Sequence, residues 1–417
     1  MLLYIDPGTG SMIFTILLSL LSVSFFFLQK IRLKLKSLIG GGNISRNNTD
    51  HMPYVIFSDS KRYWNVFKPV CDEFERRQIR VVYWTVSEDD PALGEDYEYV
   101  KCEYIGNINK ASARLNVMDA GVCISTTPGL DVYQWKRSRN AKWYVHIMHG
   151  IYDVTSYRMF GLDYYDAVLV TGQFQMDQIR KLEQSRNDPA KEIEIVGLTY
   201  LDTMKARYEA SEQEKHDRLT ILLAPSWGES SILCRYGADI IESLLKTGYR
   251  LIIRPHPQSM TSDKEIIEPL MKQFHDDDNI SWNFDDDNFD VLSRSDLMIS
   301  DFSGVFFDYA FVFGRPVIYA DTSFDKAPYD AAWLDEPMWV FEVLPRIGIP
   351  LKKEDFGRMK EVIDQAVESE DLKKNLEKIR DSAWMHPGES ARLIADHAVR
   401  KYEELQKKEA AAKEETK

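Results

Sequence analysis

Cysteine is scarce in this chain, and its cysteines lack the spacing of a metal site. Only four of the 417 residues are cysteine, and no CxxC pattern occurs. Cys71 and Cys123 lie within apolar stretches, which predicts buried thiols. A chain of this length can build its own core and has little need of a disulfide framework. The cysteine pattern therefore argues against a disulfide-stapled fold and favours a reducing compartment.

An excess of positive charge is also missing. The formal net charge is −14, although the first 42 residues hold four basic side chains and one acidic side chain. The rest of the chain is thus more acidic than the whole, which argues against a general nucleic-acid binder. A polyanionic ligand would need a local cluster of basic groups. With 44% hydrophobic and 28% charged residues, the chain is expected to fold, and its length predicts two domains.

One apolar run is long enough to cross a membrane. Ser11–Leu28 is 18 residues long and uncharged, and the basic stretch Lys30–Lys36 follows it directly. Basic residues on that side predict a single-pass anchor in the cell inner or plasma membrane, with the body in the cytoplasm. A cleaved signal peptide would carry its positive charge before the run, so we expect an uncleaved anchor.

Beyond the glycine-rich linker, short apolar strands alternate with helical stretches. This alternation predicts parallel sheets covered on both faces, that is, an α/β fold with two Rossmann-like domains facing each other across a cleft. The predicted divisions are an anchor with its basic flank at 1–42, a first domain at 51–200, a second domain at 216–385 and a C-terminal helix or tail at 386–417. The polar segment Tyr200–Asp217 is the predicted hinge.

The first candidate for chemistry is His149-Gly150, directly after a predicted strand. Ligands of open α/β sheets bind beyond the carboxyl ends of the strands. A histidine there could accept a proton from an attacking hydroxyl near neutral pH, with Gly150 allowing a sharp turn. The competing interpretation is a hydrogen-bonded loop histidine. His146, inside the strand, is expected to be structural.

The second candidate is Arg254-Pro255-His256-Pro257, at the end of another predicted strand. The two prolines stiffen the turn, the guanidinium suits phosphate oxygens, and His256 can add a donor. This sequence motif predicts a compact anion-binding site in an otherwise acidic protein. We group His256 with His149 as candidate catalytic residues.

The third candidate is the loop Ser300–Gly304 before a predicted helix. Free backbone N–H groups and the positive end of the helix dipole favour a phosphate there, with Ser303 as a donor and Gly304 permitting close approach. The alternative is plain helix capping by Asp301 or Ser303.

Acidic residues are numerous near these loops, but their spacing does not predict a metal site. Two runs of three aspartates flank a short strand and lack the pattern of a calcium loop, so they are interpreted as solvated loops. Asp308, Glu229 and Ser230 lie near the predicted cleft, where they could contact a ribose or base. No metal and no cofactor are predicted.

Taken together, the three sites resemble the CDP-glycerol glycerophosphotransferase family, which includes teichoic acid glycerol-phosphate primases and polymerases. The matching segments lie between about residues 140 and 320: His149-Gly150, Ala224-Pro225-Ser226-Trp227, Arg254–Pro257, Ser295–Tyr309 and Gly314–Tyr319. The resemblance implies a GT-B-like fold that holds the nucleotide in the second domain. It also implies His149 as the base and a donor site at Ser226, Arg254, His256, Asp301, Ser303, Gly304 and Asp308.

The chain departs from the family pattern at several positions. Ile151-Tyr152-Asp153 stands where the family carries a threonine and a nearby lysine. Gly197–Asp202 stands where the family carries glycine-x-proline-arginine-asparagine-aspartate. Gly228 replaces a basic residue of the family, and Gly304 replaces the second serine of a serine pair. Most of these changes fall on the acceptor side or at the domain boundary.

The predicted function is transfer of glycerol phosphate, or another alditol phosphate, from a CDP-activated donor to a lipid-linked acceptor during cell-surface polymer synthesis. The expected partners are that nucleotide-activated donor, the acceptor and the membrane, without nucleic acid. Two alternatives stay open: a GT-B glycosyltransferase using a nucleotide sugar, and a catalytically silent membrane scaffold.

Overall fold

A computed structural model describes residues 51–415, apart from residue 134 and the segments 213–216, 276, 286, 302–303 and 321–324. The predicted anchor Ser11–Leu28 and the candidate Ser303 lie outside the described residues. Within that described part, no helix combines the length and the apolar character that crossing a bilayer requires.

The first half of the body is built on a seven-stranded parallel sheet with the order β3-β2-β1-β4-β5-β6-β7. The central strands are apolar along their whole length because helices cover both faces; all six residues of β4 are buried. The outermost strand β7 alternates glutamate with isoleucine, as an edge strand often does. The strands are β1 (Met52–Ser58), β2 (Val81–Thr85), β3 (Val100–Tyr104), β4 (Ala120–Ser125), β5 (Ala141–Ile147), β6 (Ala167–Val170) and β7 (Glu192–Ile195).

Four helices accompany this sheet. The first of them presents an apolar stripe that contains Phe67, Val70 and Phe74, all fully buried. The helices are α1 (Trp64–Arg76), α2 (Ile108–Leu115), α3 (Gln173–Arg186) and α4 (Thr199–Ala210).

The second half repeats the arrangement with a six-stranded parallel sheet in the order β10-β9-β8-β11-β12-β13. Its strands are β8 (Thr220–Leu223), β9 (Arg250–Ile253), β10 (Ile280–Trp282), β11 (Leu297–Ser300), β12 (Val317–Ala320) and β13 (Gly348–Leu351). Both sheets therefore follow the order 3-2-1-4-5-6 of doubly wound nucleotide-binding domains. The prediction of two Rossmann-like domains is confirmed.

The helices of the second half are shorter. Among them, α9 is apolar almost all round because it packs between the sheet and the neighbouring helices. They are α5 (Ile232–Leu245), α6 (Ser259–Ser262), α7 (Lys264–Gln273), α8 (Phe289–Ser293), α9 (Val305–Phe313), α10 (Trp339–Ile347), α11 (Met359–Glu368) and α12 (Glu370–Ala383).

The last helix, α13 (Ser390–Glu415), returns to the first domain. Its residues Ile394, Ala395 and Ala398 are part of the hydrophobic core beneath the first sheet. The chain passes close to Gly197, where a side chain would meet the carbonyl oxygen of Met385 at 2.4 Å and φ is +84°. The predicted C-terminal tail is thus a structural part of the first domain.

Two strands and most of the hinge differ from the sequence predictions. Edge strands β3 and β13 were not predicted, because partial exposure leaves them with weak apolar patterns. The polar hinge Tyr200–Asp217 is helical up to Ala210. Inside that helix, the Asp202 carboxylate accepts from the indole N–H of Trp384 (3.1 Å) and from the backbone N–H of Ser390 (3.2 Å).

The two domains are joined by buried polar contacts from a loop and a helix of the first domain. Asp153 is 1% exposed, and its carboxylate accepts from the backbone N–H groups of Trp339 (2.7 Å) and Val340 (3.0 Å) at the start of α10. This carboxylate satisfies helix N–H groups that have no partner within the helix. Nearby, Arg186 of α3 pairs with Asp330 of the second domain and with Asp163 (2.8 Å).

The buried Arg186–Asp330 pair should contribute strongly to stability. The two side chains are 5% and 2% exposed, so removing one partner leaves a buried charge without compensation. We expect Arg186→Ala to lower the free energy of unfolding by about 3 kcal/mol in urea titrations.

Lys181→Ala is the matched control. Lys181 also lies on α3 and also pairs across the domains, with Glu336, but both side chains are about half exposed. Water screens such a pair, and the change should stay within about 0.5 kcal/mol. Equal effects of the two substitutions would contradict the role assigned to Arg186.

Candidate active site

The two sheet orders place two sets of loops where ligands bind in such folds. In each sheet the strand order reverses next to its first strand, between β1 and β4 and between β8 and β11. The crevice beyond the carboxyl ends of these strands is the expected binding position. Every candidate described below, apart from Asp308 on α9, follows one of the strands at or next to these two points.

His149 lies just past the end of β5, held by the strand beside it. Its Nδ1 is 2.7 Å from the hydroxyl of Thr126, which also lies 2.9 Å from the carbonyl oxygen of Ile147. A carbonyl can only accept, so the threonine hydroxyl donates to it and accepts from the Nδ1–H of His149. This assignment of the tautomer leaves the lone pair on Nε2.

The ring face of His149 is covered by Tyr152. The Tyr152 hydroxyl is 3.1 Å from Nδ1 and 3.0 Å from Nε2. An atom equidistant from both nitrogens cannot lie in the ring plane without colliding with the carbon between them, so it sits over the ring face. The in-plane lone pair of Nε2 therefore keeps no protein partner among the described residues.

Gly150 provides space for this arrangement. A side chain at residue 150 would meet the Tyr152 ring at 2.9 Å, and the φ of Gly150 is not positive. The glycine is thus required for the close approach of Tyr152, and not for the sharp turn that the sequence suggested.

Burial lowers the pKa of His149 to about 4. The ring is therefore neutral at pH 7, which is the protonation state that a general base needs. His146, fully buried inside β5, also has a lowered pKa because burial disfavours its charged form and His149 lies nearby.

In the second domain, Asp301 organises the loops around the cleft. It is 1% exposed, and its carboxylate accepts from the backbone N–H groups of Ser226 (2.7 Å) and Ile232 (2.9 Å). Burial raises the pKa of Asp301 despite these bonds. Asp301 thus ties the end of β11 to the loop after β8, with its oxygens already occupied by backbone donors.

Gly304 lies opposite the His149 loop, directly before α9. Nothing lies within 4 Å of the position that its side chain would take, so the backbone at the helix start is accessible. A cavity of about 60 Å³ between the domains is lined by Gly304, Asp301 and Tyr152. The predicted helix start and the His149 loop therefore meet at one interdomain cavity.

Arg254 and His256 stand at the end of β9, as predicted. The Arg254 guanidinium donates to the Asn283 side chain and to the backbone oxygen of Asp285 (2.8 Å). His256 is half-buried, and its Nδ1 accepts from the backbone N–H of Gln258 (3.1 Å). A neutral His256 thus carries its proton on Nε2 as a donor. Burial, and secondly the Arg62 charge, lower the pKa of His256.

Asp308 occupies the first turn of α9 and faces the helix α4 of the domain boundary. Burial raises its pKa to about 7, and its charge contributes to the raised pKa of Tyr200. Among the described residues it has no hydrogen-bond or ion-pair partner that would stabilise its charged form. Glu229 and Ser230 are exposed on the loop after β8.

One group of side chains in the described part of the chain has metal-like spacing, and it lies outside the cleft. Glu192, Glu194 and His397 lie at the edge strand β7 and on α13. Arg400 already pairs with Glu194, and Lys401 pairs with Glu192 at 2.6 Å. These cations neutralise the carboxylates, so the cluster is a structural ion-pair network.

Several neighbours of the site were not singled out from the sequence. Thr126 holds His149, Tyr152 covers it, and the Tyr63 ring packs against it with centroids 4.8 Å apart. Arg62, beside Tyr63, brings a cation to the same side of the cleft. The position of Thr126 after a buried strand was the available signal, because polar residues at strand ends line such clefts.

Two Rossmann-like domains, each with strand-end loops turned to the domain boundary, define a GT-B-like fold. Among solved structures, the wall teichoic acid polymerase TagF is similar, with a TM-score of 0.59 and 15% identity over 92% of this chain and 97% of that chain. UDP-GlcNAc 2-epimerase from Neisseria meningitidis has a TM-score of 0.52 and 12% identity over 84% of this chain and 100% of its own. At such identities the likeness establishes the fold.

The sequence from the end of the first domain through most of the second points to a particular family. Residues 164–333 match the family model of CDP-Glycerol:Poly(glycerophosphate) glycerophosphotransferase. No curated protein matches the chain by sequence. The predicted resemblance is thus confirmed, and with it the prediction of an enzyme like the CDP-glycerol glycerophosphotransferases.

Removing the Asp301 carboxylate should loosen both loops at once. Asp301→Ala leaves two buried backbone N–H groups without an acceptor, so we expect a loss of about 2 kcal/mol in the free energy of unfolding, measured with urea. Asp301→Asn keeps one acceptor oxygen and should lose less.

Asp263→Ala provides the comparison, because the Asp263 carboxylate accepts from one backbone N–H group of the same loop, that of Gly228 (2.9 Å). If Asp301→Ala were no more destabilising than Asp263→Ala, the organising role of Asp301 would be wrong.

Proposed function

We propose that this protein transfers glycerol phosphate, or another alditol phosphate, from a CDP-activated donor to a lipid-linked acceptor at the membrane. The observation that carries the proposal is the neutral His149, on the loop whose Tyr152 lines the interdomain cavity, in a chain whose residues 164–333 match the glycerophosphotransferase family model.

In the proposed reaction, the acceptor hydroxyl donates its proton to Nε2 of His149 while its oxygen attacks the β-phosphorus of the donor. The new O–P bond forms as the bond from the β-phosphorus to the bridging oxygen breaks. CMP leaves with that oxygen and its negative charge, and His149 later returns the proton to solvent. The proposed chemistry depends on positioning and charge stabilisation.

The second domain is proposed to hold the donor. The N–H groups at the start of α9, next to Gly304, favour phosphate oxygens, and His256 offers its Nε2–H from the end of β9. Arg254 adds positive charge beside them, although part of its donor set is used by Asn283 and Asp285. Ser303, also proposed for this role, lies outside the described residues. Asp308 is proposed to contact the ribose.

The membrane part of the proposal depends on the sequence of the first 42 residues. The apolar run Ser11–Leu28 is proposed as a single-pass anchor, and the basic residues after it as the cytoplasmic flank. This arrangement would keep the catalytic body at the face of the membrane where a lipid-linked acceptor is displayed.

Removing the imidazole of His149 should abolish turnover and spare donor binding. We expect His149→Ala to release CMP from CDP-glycerol or CDP-ribitol at least ~100-fold more slowly, since general base catalysis contributes on the order of 10² to 10⁴ in rate. CMP release is measured with detergent-solubilised protein and a crude membrane acceptor, and CDP binding by calorimetry.

His51→Ala is the control, because His51 is exposed at the amino-terminal ends of the strands, opposite to His149, and pairs with Asp119. Retained turnover in His149→Ala would remove His149 from the role of base. A nucleoside diphosphate released from a UDP- or GDP-sugar, with no CMP from either CDP-alditol, would instead identify a glycosyltransferase.

Charges in the middle of the apolar run should detach the protein from membranes. Leu18→Arg together with Leu21→Arg places two cations at the centre of the proposed helix, each costing about 3 kcal/mol. Carbonate extraction should then leave the variant in the soluble fraction, whereas Ser19→Ala with Ser22→Ala should stay in the pellet. A double-arginine variant that stays in the pellet would argue against this anchor.

A further inference from the structure

A chain of hydrogen bonds leads from the ring face of His149 to the interior of strand β5. The Tyr152 hydroxyl, over the ring face of His149, lies 2.6 Å from the hydroxyl of Tyr157. The Tyr157 hydroxyl in turn lies 3.0 Å from Nε2 of His146. Two tyrosine hydroxyls thus connect the face of His149 to a second histidine, the buried His146 of strand β5.

The far end of this chain is unusual for a protein interior. His146 is 0% exposed, and its Nδ1 has no hydrogen-bond partner. Nearly all buried polar atoms in native proteins find a partner, so a group that lacks one needs an explanation. Packing alone would be served as well by an apolar residue in β5.

The donor–acceptor direction of these hydrogen bonds decides whether the Tyr152 hydroxyl turns its proton or its lone pairs towards His149. If Nε2 of His146 accepts from Tyr157, then Tyr157 must accept from Tyr152. The oxygen of Tyr152 then turns only lone pairs towards the His149 ring. Lone pairs over the ring face favour the positive charge that develops when His149 takes a proton.

We infer that Tyr152, Tyr157 and His146 are positioning residues that make His149 a stronger base by presenting the Tyr152 oxygen lone pairs to its ring. The inference rests on the proposed function of His149. The proton of the acceptor hydroxyl still goes to Nε2 of His149, and no proton travels along the chain. His146 carries its single proton on Nδ1 throughout.

Other titratable groups around His149 take no part in this series of hydrogen bonds. Tyr63 and Arg62 approach from the turn after β1, together with Asp59, whose charge raises the pKa of Tyr63 and of Tyr157. From the second domain, Asp301 shares the interdomain cavity with Tyr152. Tyr165 packs against His146 with ring centroids 5.0 Å apart, but its hydroxyl donates to the backbone oxygen of Thr127 (2.5 Å).

This difference makes Tyr165 a matched control for Tyr157. Both are buried tyrosines against His146, and each phenylalanine variant removes one hydroxyl. A purely structural effect should appear in both variants. An effect on the basicity of His149 should appear in Tyr157→Phe alone.

The experiment uses the full chain in detergent with ¹⁵N-labelled histidine, assigned with His149→Gln and His146→Gln. We expect His146 in the wild type to be protonated on Nδ1. In Tyr157→Phe the Tyr152 hydroxyl loses its acceptor and can turn its proton towards His149, so the pKa of His149 should fall by about half a unit or more. In Tyr165→Phe it should stay unchanged.

Kinetics provide the second measurement. The value of kcat for CMP release should fall about ten-fold or more in Tyr157→Phe, with little change in KM for the CDP-alditol, and stay within about two-fold in Tyr165→Phe. A His146 protonated on Nε2, or a His149 pKa that is unchanged or raised in Tyr157→Phe, would overturn the inference. A wild type inactive on every CDP-alditol would refute the proposed function. The positioning inference would then still be decided by the histidine titrations, which need no turnover.

Discussion

The carboxylate of Asp153 is the contact on which the geometry of the cleft depends. It belongs to the first domain, yet it accepts from the first backbone N–H groups of a helix in the second domain. Such groups have no partner within their own helix, so a buried carboxylate there satisfies them and complements the helix dipole. Since Asp153 and His149 share one short loop, the same contact that joins the domains also fixes the loop that carries His149.

This arrangement explains the departures from the family pattern in the segment after His149. Ile151 packs into the hydrophobic cluster of the second domain, Tyr152 covers the His149 ring, and Asp153 holds the helix α10. Where the family carries a threonine and a lysine, this chain thus has an interdomain contact and an aromatic cover. A positive charge on this side of the cleft is supplied by Arg62, which lies on a different turn.

Much of the fold could be predicted from the sequence because buried parallel strands are apolar throughout. Helix α9 begins directly after Gly304, as predicted, whereas the edge strands β3 and β13 escaped prediction because partial exposure weakens their pattern. The helix α13 was predicted without a packing partner. Its small apolar residues are too few to indicate, on their own, that they complete the core of the first domain.

The sequence by itself determined two doubly wound sheets and the loops at their strand ends, which carry His149, His256 and Gly304. These features depend on local pattern and on the rule that ligands bind at the carboxyl ends of strands. Tertiary structure alone decided that Asp301 accepts hydrogen bonds from backbone donors and that Arg254 donates to Asn283. It also decided that two tyrosines link His149 to His146. Which partner a polar side chain finds depends on segments far apart in the chain, whose proximity no local pattern records.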